Sequence, residues 1–212
     1  MNADRYEGAA EGAAAQSIKP TLVADDAFRI ALNDPALIEL RFEDRRVLLA
    51  PHVGGAIAAF YDMPDGGNGG RGALHWLRPA SADALAACNP LGMASFPLLP
   101  YCNRLRDARF VFDGREVDLS GDGNAFDHAL HGHAWRRPWR VGLLSSTVLE
   151  MHLNHEPGGE PAHHWPYRYE ATQRFELDDS GLFVTMSIRN LADQPMPFGM
   201  GHHPYYLSLI HI

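Results

Sequence analysis

The sequence predicts an all-β fold, a sandwich or barrel of antiparallel strands. Three observations carry that reading. Apolar residues recur with a period of two, turn signals separate the runs at regular intervals, and helical periodicity is confined to one short stretch. In residues 36–43, Ile38, Leu40 and Phe42 alternate with Glu39, Arg41 and Glu43. That pattern fits a half-buried strand, and the polar run 43–46 turns the chain into a second strand at 47–50. Residues 109–112 and 115–119 flank Asp113-Gly114, a dipeptide that tolerates the positive φ of a tight hairpin. Leu149, Met151 and Leu153 alternate with polar residues after Ser145-Ser146. The clearest pair comes late. Tyr167, Tyr169, Ala171, Gln173, Phe175 and Leu177 share one face, a turn follows at 178–181, and Leu182, Val184, Met186 and Ile188 share the next. Each strand of that pair is expected to keep one wet face. Residues 81–88, bracketed by Pro79 and Pro90, form the single candidate helix, and the Gly-rich run 62–72 reads as a surface loop.

Composition narrows the function. The 212 residues are 46% hydrophobic and 21% charged, with a formal charge of -8. An acidic chain lacks the basic surface that nucleic acid and anionic membranes require, so neither is expected as a partner. No run approaches the ~20 apolar residues of a membrane span. Cys88 and Cys102 are too few for a disulfide framework and lack zinc-site spacing; they read as two half-buried thiols. Residues 1–22 carry neither a basic nor an apolar signal region and read as a disordered leader. A cytoplasmic location is the expectation.

Three polar clusters interrupt the strand pattern. In the first, residues 96–106, two prolines exclude a central strand, and Asn103-Arg104 follows Tyr101-Cys102. The Arg fork and the Asn amide suit vicinal hydroxyls; a surface salt bridge is the alternative. The second holds His128, His131 and His133. In a strand, His131 and His133 would point the same way and could share a metal, but no carboxylate or cysteine accompanies them, and catalytic or structural roles stay open. The third, residues 197–206, contains His202-His203-Pro204-Tyr205-Tyr206. Adjacent strand residues face opposite sides, so one of the two histidines can enter a given cleft. Pro204 holds His203 extended, and tyrosine faces pack against sugar C–H groups. A strand end with core tyrosines and a buried histidine is the alternative. No role is read for His163 and His164.

In order and context these clusters resemble the aldose 1-epimerase family over about residues 36–207. Residues 96–105 are similar to its FPL-P-x-x-NR segment, and Leu130-His131-Gly132 with Trp135 and Trp139 to its LHG segment. Leu182 to Asn190 followed by His203-Pro204-Tyr205-Tyr206 is similar to its gL-x-V-x-N strand and HPYF segment. Residues 51–60, with Gly54-Gly55, resemble its early P-x-x-GG hairpin. The resemblance implies a large antiparallel β-sandwich of the galactose mutarotase type, here residues 23–207 and incomplete at its C-terminal end. It implies interconversion of the α and β anomers of free aldohexoses such as glucose or galactose, with no cofactor and no metal. Asn103 and Arg104 would bind hydroxyls, His131 would orient the ring oxygen, His203 would protonate it, and Tyr205 would line the pocket. An imidazole suits proton transfer near neutral pH. The family's base, a glutamate, and a hydroxyl-binding aspartate would fall after residue 212. Residues 208–212 do not match the family and read as an atypical tail. Impaired catalysis is therefore expected. The alternatives are a non-catalytic carbohydrate-binding protein and a hexose-phosphate relative, for which Arg106 and Arg109 are the candidate phosphate ligands.

Overall fold

The computed structural model describes residues 21–22, 36–64, 72–120, 128–158 and 165–207. The loop read at 62–72 lies mostly outside these residues, as do His163, His164, the tail and all but the end of the leader. Thr21–Leu22 of that leader form a strand, β1, that pairs with Leu74–His75.

Strands dominate. In chain order they are β1, β2 (Ile38–Phe42), β3 (Arg45–Ala50), β4 (Ala56–Asp62) and β5 (Leu74–His75). Then follow β6 (Pro97–Leu98), β7 (Arg104–Leu105), β8 (Arg109–Phe112), β9 (Arg115–Asp118) and β10 (Ala129–Leu130). The last five are β11 (Arg140–Leu144), β12 (Val148–His155), β13 (Tyr169–Leu177), β14 (Leu182–Asn190) and β15 (Gly201–His202). One sheet has the order β1-β5-β4-β3-β2 and another β11-β12-β13-β14; β10-β7, β15-β6 and β8-β9 are two-stranded. Every named strand pairing is antiparallel. Among the described residues the one α-helix, α1 (Ala82–Ala86), is capped by the Ser81 hydroxyl, which accepts from the Ala84 amide at 3.1 Å.

Alternation places the core. On β13 the residues from Tyr169 to Leu177 are buried at every second position. With Leu149, Met151 and Leu153 of β12 they meet Leu40, Val47, Leu49 and Ile57 of the first sheet in one cluster. The two sheets therefore face each other as a sandwich, tied at one end where the Arg41 amide donates to the Ser146 carbonyl at 2.7 Å. The first sheet is covered on its other face too. Leu48, Ala50, Ala58 and Ala59 pack there with Leu85 of α1, Met93, Phe96 and Trp135. β14 closes the second sheet. Its inward residues Leu182, Val184, Met186 and Ile188 are only half-buried, its outward ones are exposed, and among the described residues no strand pairs with its outer edge.

Two expectations need correction, and one strand, β11, was not expected. β11 carries no period-two signal because all five of its residues are exposed and a register shift falls between Val141 and Leu143. Cys88 is exposed rather than half-buried, since the chain leaves α1 there with φ 47°. His131 and His133 do not share a face: the chain leaves β10 at Leu130, and His131 and Gly132 take φ values of 61° and 67°.

Burial also sets a pH dependence. Burial pushes the imidazoles of His75 and His202 down to about 4, from an ordinary 6.5, and lowers that of His155. Each of these groups is neutral in the fold and takes up a proton more readily when unfolded. Their contribution is complete above pH 6.5 and is lost as pH falls toward 4. Denaturant midpoints measured across that interval are expected to fall steadily; a flat profile would contradict the assignment.

Candidate active site

The site is assembled from three segments that the two-stranded sheets hold together. β6 and β15 pair Leu98 with Gly201 and Pro97 with His202. β7 and β10 pair Arg104 with Leu130 and Leu105 with Ala129. Leu99 forms a parallel bridge to Gly132. The proline-rich segment 96–106 is thus the hub, with the 128–135 segment on one side and the 201–206 segment on the other.

Asn103 and His131 clasp each other. The His131 amide donates to the Asn103 carbonyl at 3.0 Å, and the Asn103 amide donates to His131 Nδ1 at 2.9 Å. Both residues sit at positive φ, 63° and 61°. Since Nδ1 accepts a hydrogen bond, the ring proton of neutral His131 resides on Nε2. Burial, then the nearby His203 and Arg104, hold the His131 imidazole below its ordinary range. His131 is therefore a neutral donor. Asn103 Oδ1 accepts from the Arg104 amide at 2.9 Å, and both Asn103 and Arg104 are exposed to solvent.

His203 faces this clasp. Its ring lies edge-on to His131 with centroids 5.6 Å apart. It stacks nearly parallel on Phe96 at 4.9 Å and leans on Tyr205 at 4.8 Å. Its amide donates to the Phe96 carbonyl at 2.9 Å, so the ring and backbone of Phe96 both locate it. Tyr205 is itself covered by the Arg78 guanidinium, 3.9 Å from its ring centre. Arg78 is anchored by bonds to the carbonyls of Leu91 and Met93 at 3.1 and 3.0 Å.

All five residues singled out from the sequence, Asn103, Arg104, His131, His203 and Tyr205, come from these three segments. The other two histidines of the 128–135 segment have structural partners. His128 Nδ1 accepts from the Asp107 amide at 3.1 Å. His133, 1% exposed, meets the Tyr169 hydroxyl at 2.9 Å. Phe96 and Arg78 were not read as site residues, because a phenylalanine inside a family-like run and an arginine before a proline carry no distinguishing signal. Among the described residues no group of three His, Cys, Asp or Glu side chains is arranged to hold a metal ion, and no helix is long and apolar enough to cross a membrane.

The described glutamates of the second sheet are committed elsewhere. Glu150 pairs with His152 at 3.2 Å and with Arg174 at 3.6 Å, Glu176 with Arg174 at 2.9 Å, and Glu170 with Arg189 at 2.9 Å. They lie on the outward face of the second sheet, opposite the buried side chains of β12 and β13.

The sequence profile of the aldose 1-epimerases matches residues 38–209. The chain belongs to the aldose 1-epimerase family. It is 34% identical over 130 residues to YphB, an uncharacterized Escherichia coli K12 protein; the match covers 61% of this chain and 41% of YphB. It is 27% identical over 109 residues to the aldose 1-epimerase of the same organism, covering 50% of this chain and 30% of that enzyme. A crystal structure from Escherichia coli K12, assigned provisionally as an aldose 1-epimerase, superposes with a TM-score of 0.67 at 28% identity over 80% of this chain and 51% of the other. A galactose mutarotase-like protein from Clostridium acetobutylicum gives 0.66 at 20% identity over 79% and 49%, and shares the fold. The chain spans about half the length of these solved structures. The aldose epimerase family thus bears out the sandwich expected from the sequence.

Proposed function

We propose that this chain carries the sugar-binding and acid side of an aldose 1-epimerase site, and that it interconverts the anomers of a free aldohexose slowly. The observation that supports this most is the facing of His203 onto the His131–Asn103 clasp at 5.6 Å. Opening a hemiacetal ring requires a proton on the ring oxygen and removal of the proton on the anomeric hydroxyl. The C1–C2 bond then rotates and the ring closes from its other face, with the two duties exchanged. In this reading His203 delivers the proton to the ring oxygen. His131, a neutral Nε2–H donor, orients that oxygen, and the exposed Asn103 and Arg104 hold the neighbouring hydroxyls. Tyr205 supplies an aromatic wall. Among the described residues, the glutamates of the second sheet are occupied by ion pairs and do not serve as the base. Water then takes that duty, which makes turnover slow, because a positioned base contributes ~10²–10⁴-fold.

Ligand-observed NMR with D-galactose and D-glucose tests the binding half of the proposal. Saturable binding is expected, and the absence of any binding would overturn it. Arg104→Ala is expected to weaken binding and raise KM several-fold while leaving kcat nearly unchanged, since it touches hydroxyls in ground and transition states alike. A fall in kcat at constant KM would instead place Arg104 at the reacting atoms. The phosphorylated-sugar reading draws less support, because Arg109 is engaged by Asp118 at 2.9 Å across the β8–β9 hairpin.

A further inference from the structure

We propose that His202, the neighbour of the acid, is the positioning residue of the site, locked in the Nε2–H tautomer by a one-way hydrogen-bond chain that aims His203. The inference rests on the reading of His203 as the acid.

The chain runs from Ser95 through His202 and Gln173 to Gly55. Gln173 is wholly buried, and its amide nitrogen donates to the Gly55 carbonyl at 3.2 Å. A backbone carbonyl only accepts, so this bond fixes which end of the Gln173 amide is which. Gln173 Oε1 is then the atom facing His202 Nε2 at 3.0 Å, and it accepts. His202 Nε2 must carry the proton, which leaves Nδ1 bare. Ser95 Oγ, 2.6 Å from Nδ1, must donate. One carbonyl thus sets the direction of every bond behind it. Burial keeps the His202 imidazole neutral, with its pKa pushed down to about 4, so this tautomer persists at neutral pH.

The arrangement looks like a serine beside its base. Ser95 is only 1% exposed, however, and its backbone is bonded to Ile57 of β4 in both directions. A nucleophile must be reached by its substrate; this hydroxyl is not. What the chain does is mechanical. It bolts β15 to β13 of one sheet and to the β3–β4 turn of the other. Adjacent residues of an extended segment point to opposite sides, so the side chain clamped at His202 dictates where His203 goes. The backbone of His203 is tied to the Phe96 carbonyl, but its ring is held by ring contacts, resting on Phe96, Tyr205 and His131. Gly55 completes the design. A Cβ there would stand 2.6 Å from Gln173 Nε2, so the close approach that orients Gln173 requires a glycine.

The test is histidine-labelled NMR of the chain, which reads from ¹H–¹⁵N couplings which ring nitrogen is protonated. His202 is expected to carry its proton on Nε2 and to stay neutral through the pH range in which a free imidazole titrates. Gln173→Leu removes the acceptor. His202 is then expected to move its proton to Nδ1 and donate to Ser95, and the His203 ring signals are expected to shift although Gln173 does not touch that ring. Ser95→Ala, a milder change, is expected to leave the proton on Nε2. A wild-type His202 protonated on Nδ1, a tautomer unmoved by Gln173→Leu, or His203 signals unchanged in that variant would overturn the inference. Should Gln173→Leu fail to fold, the wild-type and Ser95→Ala tautomers still decide it. A chain that shows these tautomers but neither binds nor turns over sugar would count against the proposed function and leave the clamp standing.

Discussion

Replacing His203 with alanine is expected to return mutarotation to the buffer rate. His203 is the proposed source of the proton that opens the ring, and neither His131 nor His202 beside it takes its place. His131 is held as a neutral donor by the Asn103 amide on its Nδ1, and His202 is half-buried and bonded at both ring nitrogens. A positioned acid contributes ~10²–10⁴-fold, so its loss removes most of what the site adds. Sugar binding is expected to weaken only modestly, because Asn103, Arg104 and the Tyr205 ring remain. Polarimetry on the variant, with ligand-observed NMR alongside, checks both halves. Undiminished acceleration in His203→Ala would show that another group is the acid.

The largest effect on stability is expected from Gly132→Ala. Gly132 has a φ of 67°, and a Cβ there would stand 1.9 Å from the Leu99 carbonyl oxygen and 2.6 Å from Pro100 Cδ. Neither neighbour is the free end of a flexible side chain. Leu99 is fully buried, and its carbonyl also accepts from the Ala134 amide at 3.2 Å. The methyl group therefore forces apart the two segments that carry Asn103 and His131. Strain of this kind costs roughly 3 kcal/mol or more, to be read as a drop in the denaturant midpoint. Sugar binding is expected to fail with it, since the Asn103–His131 clasp spans the same junction. A stability within ~0.5 kcal/mol of wild type, the usual range for surface changes, would contradict this account.

Much of this fold was legible because strands with one buried face write their period into the sequence. The alternation in β12, β13 and β14 predicted where these strands lie and, for β12 and β13, their buried faces. Gly54 and Gly55 take the positive φ that the early hairpin needs. β11 was not legible, since an exposed edge strand has no apolar face to display. The site was legible only in part, for a physical reason. Asn103, Arg104, His131, His203 and Tyr205 stand in or beside two-residue strands and loops, where no apolar alternation accounts for polar residues, so their chemistry stands out. Ser95 and Gln173 did not, because each sits among apolar neighbours as a core residue would. Gln173 alone among the inward residues of β13, between Ala171 and Phe175, is polar on an otherwise apolar face, and that anomaly was the available sign of a buried partner. The clasp between Asn103 and His131 depends on two positive φ angles at non-glycine residues, which side-chain chemistry does not announce.

The central claim is that this chain moves protons on a bound sugar. The most direct measurement is the polarimetric relaxation of freshly dissolved α-D-galactose and α-D-glucose as a function of chain concentration. An acceleration above the buffer rate is expected for at least one of the two sugars, growing in proportion to the chain and reaching the same final rotation. A rate equal to that of buffer at every concentration, for both sugars, would contradict it.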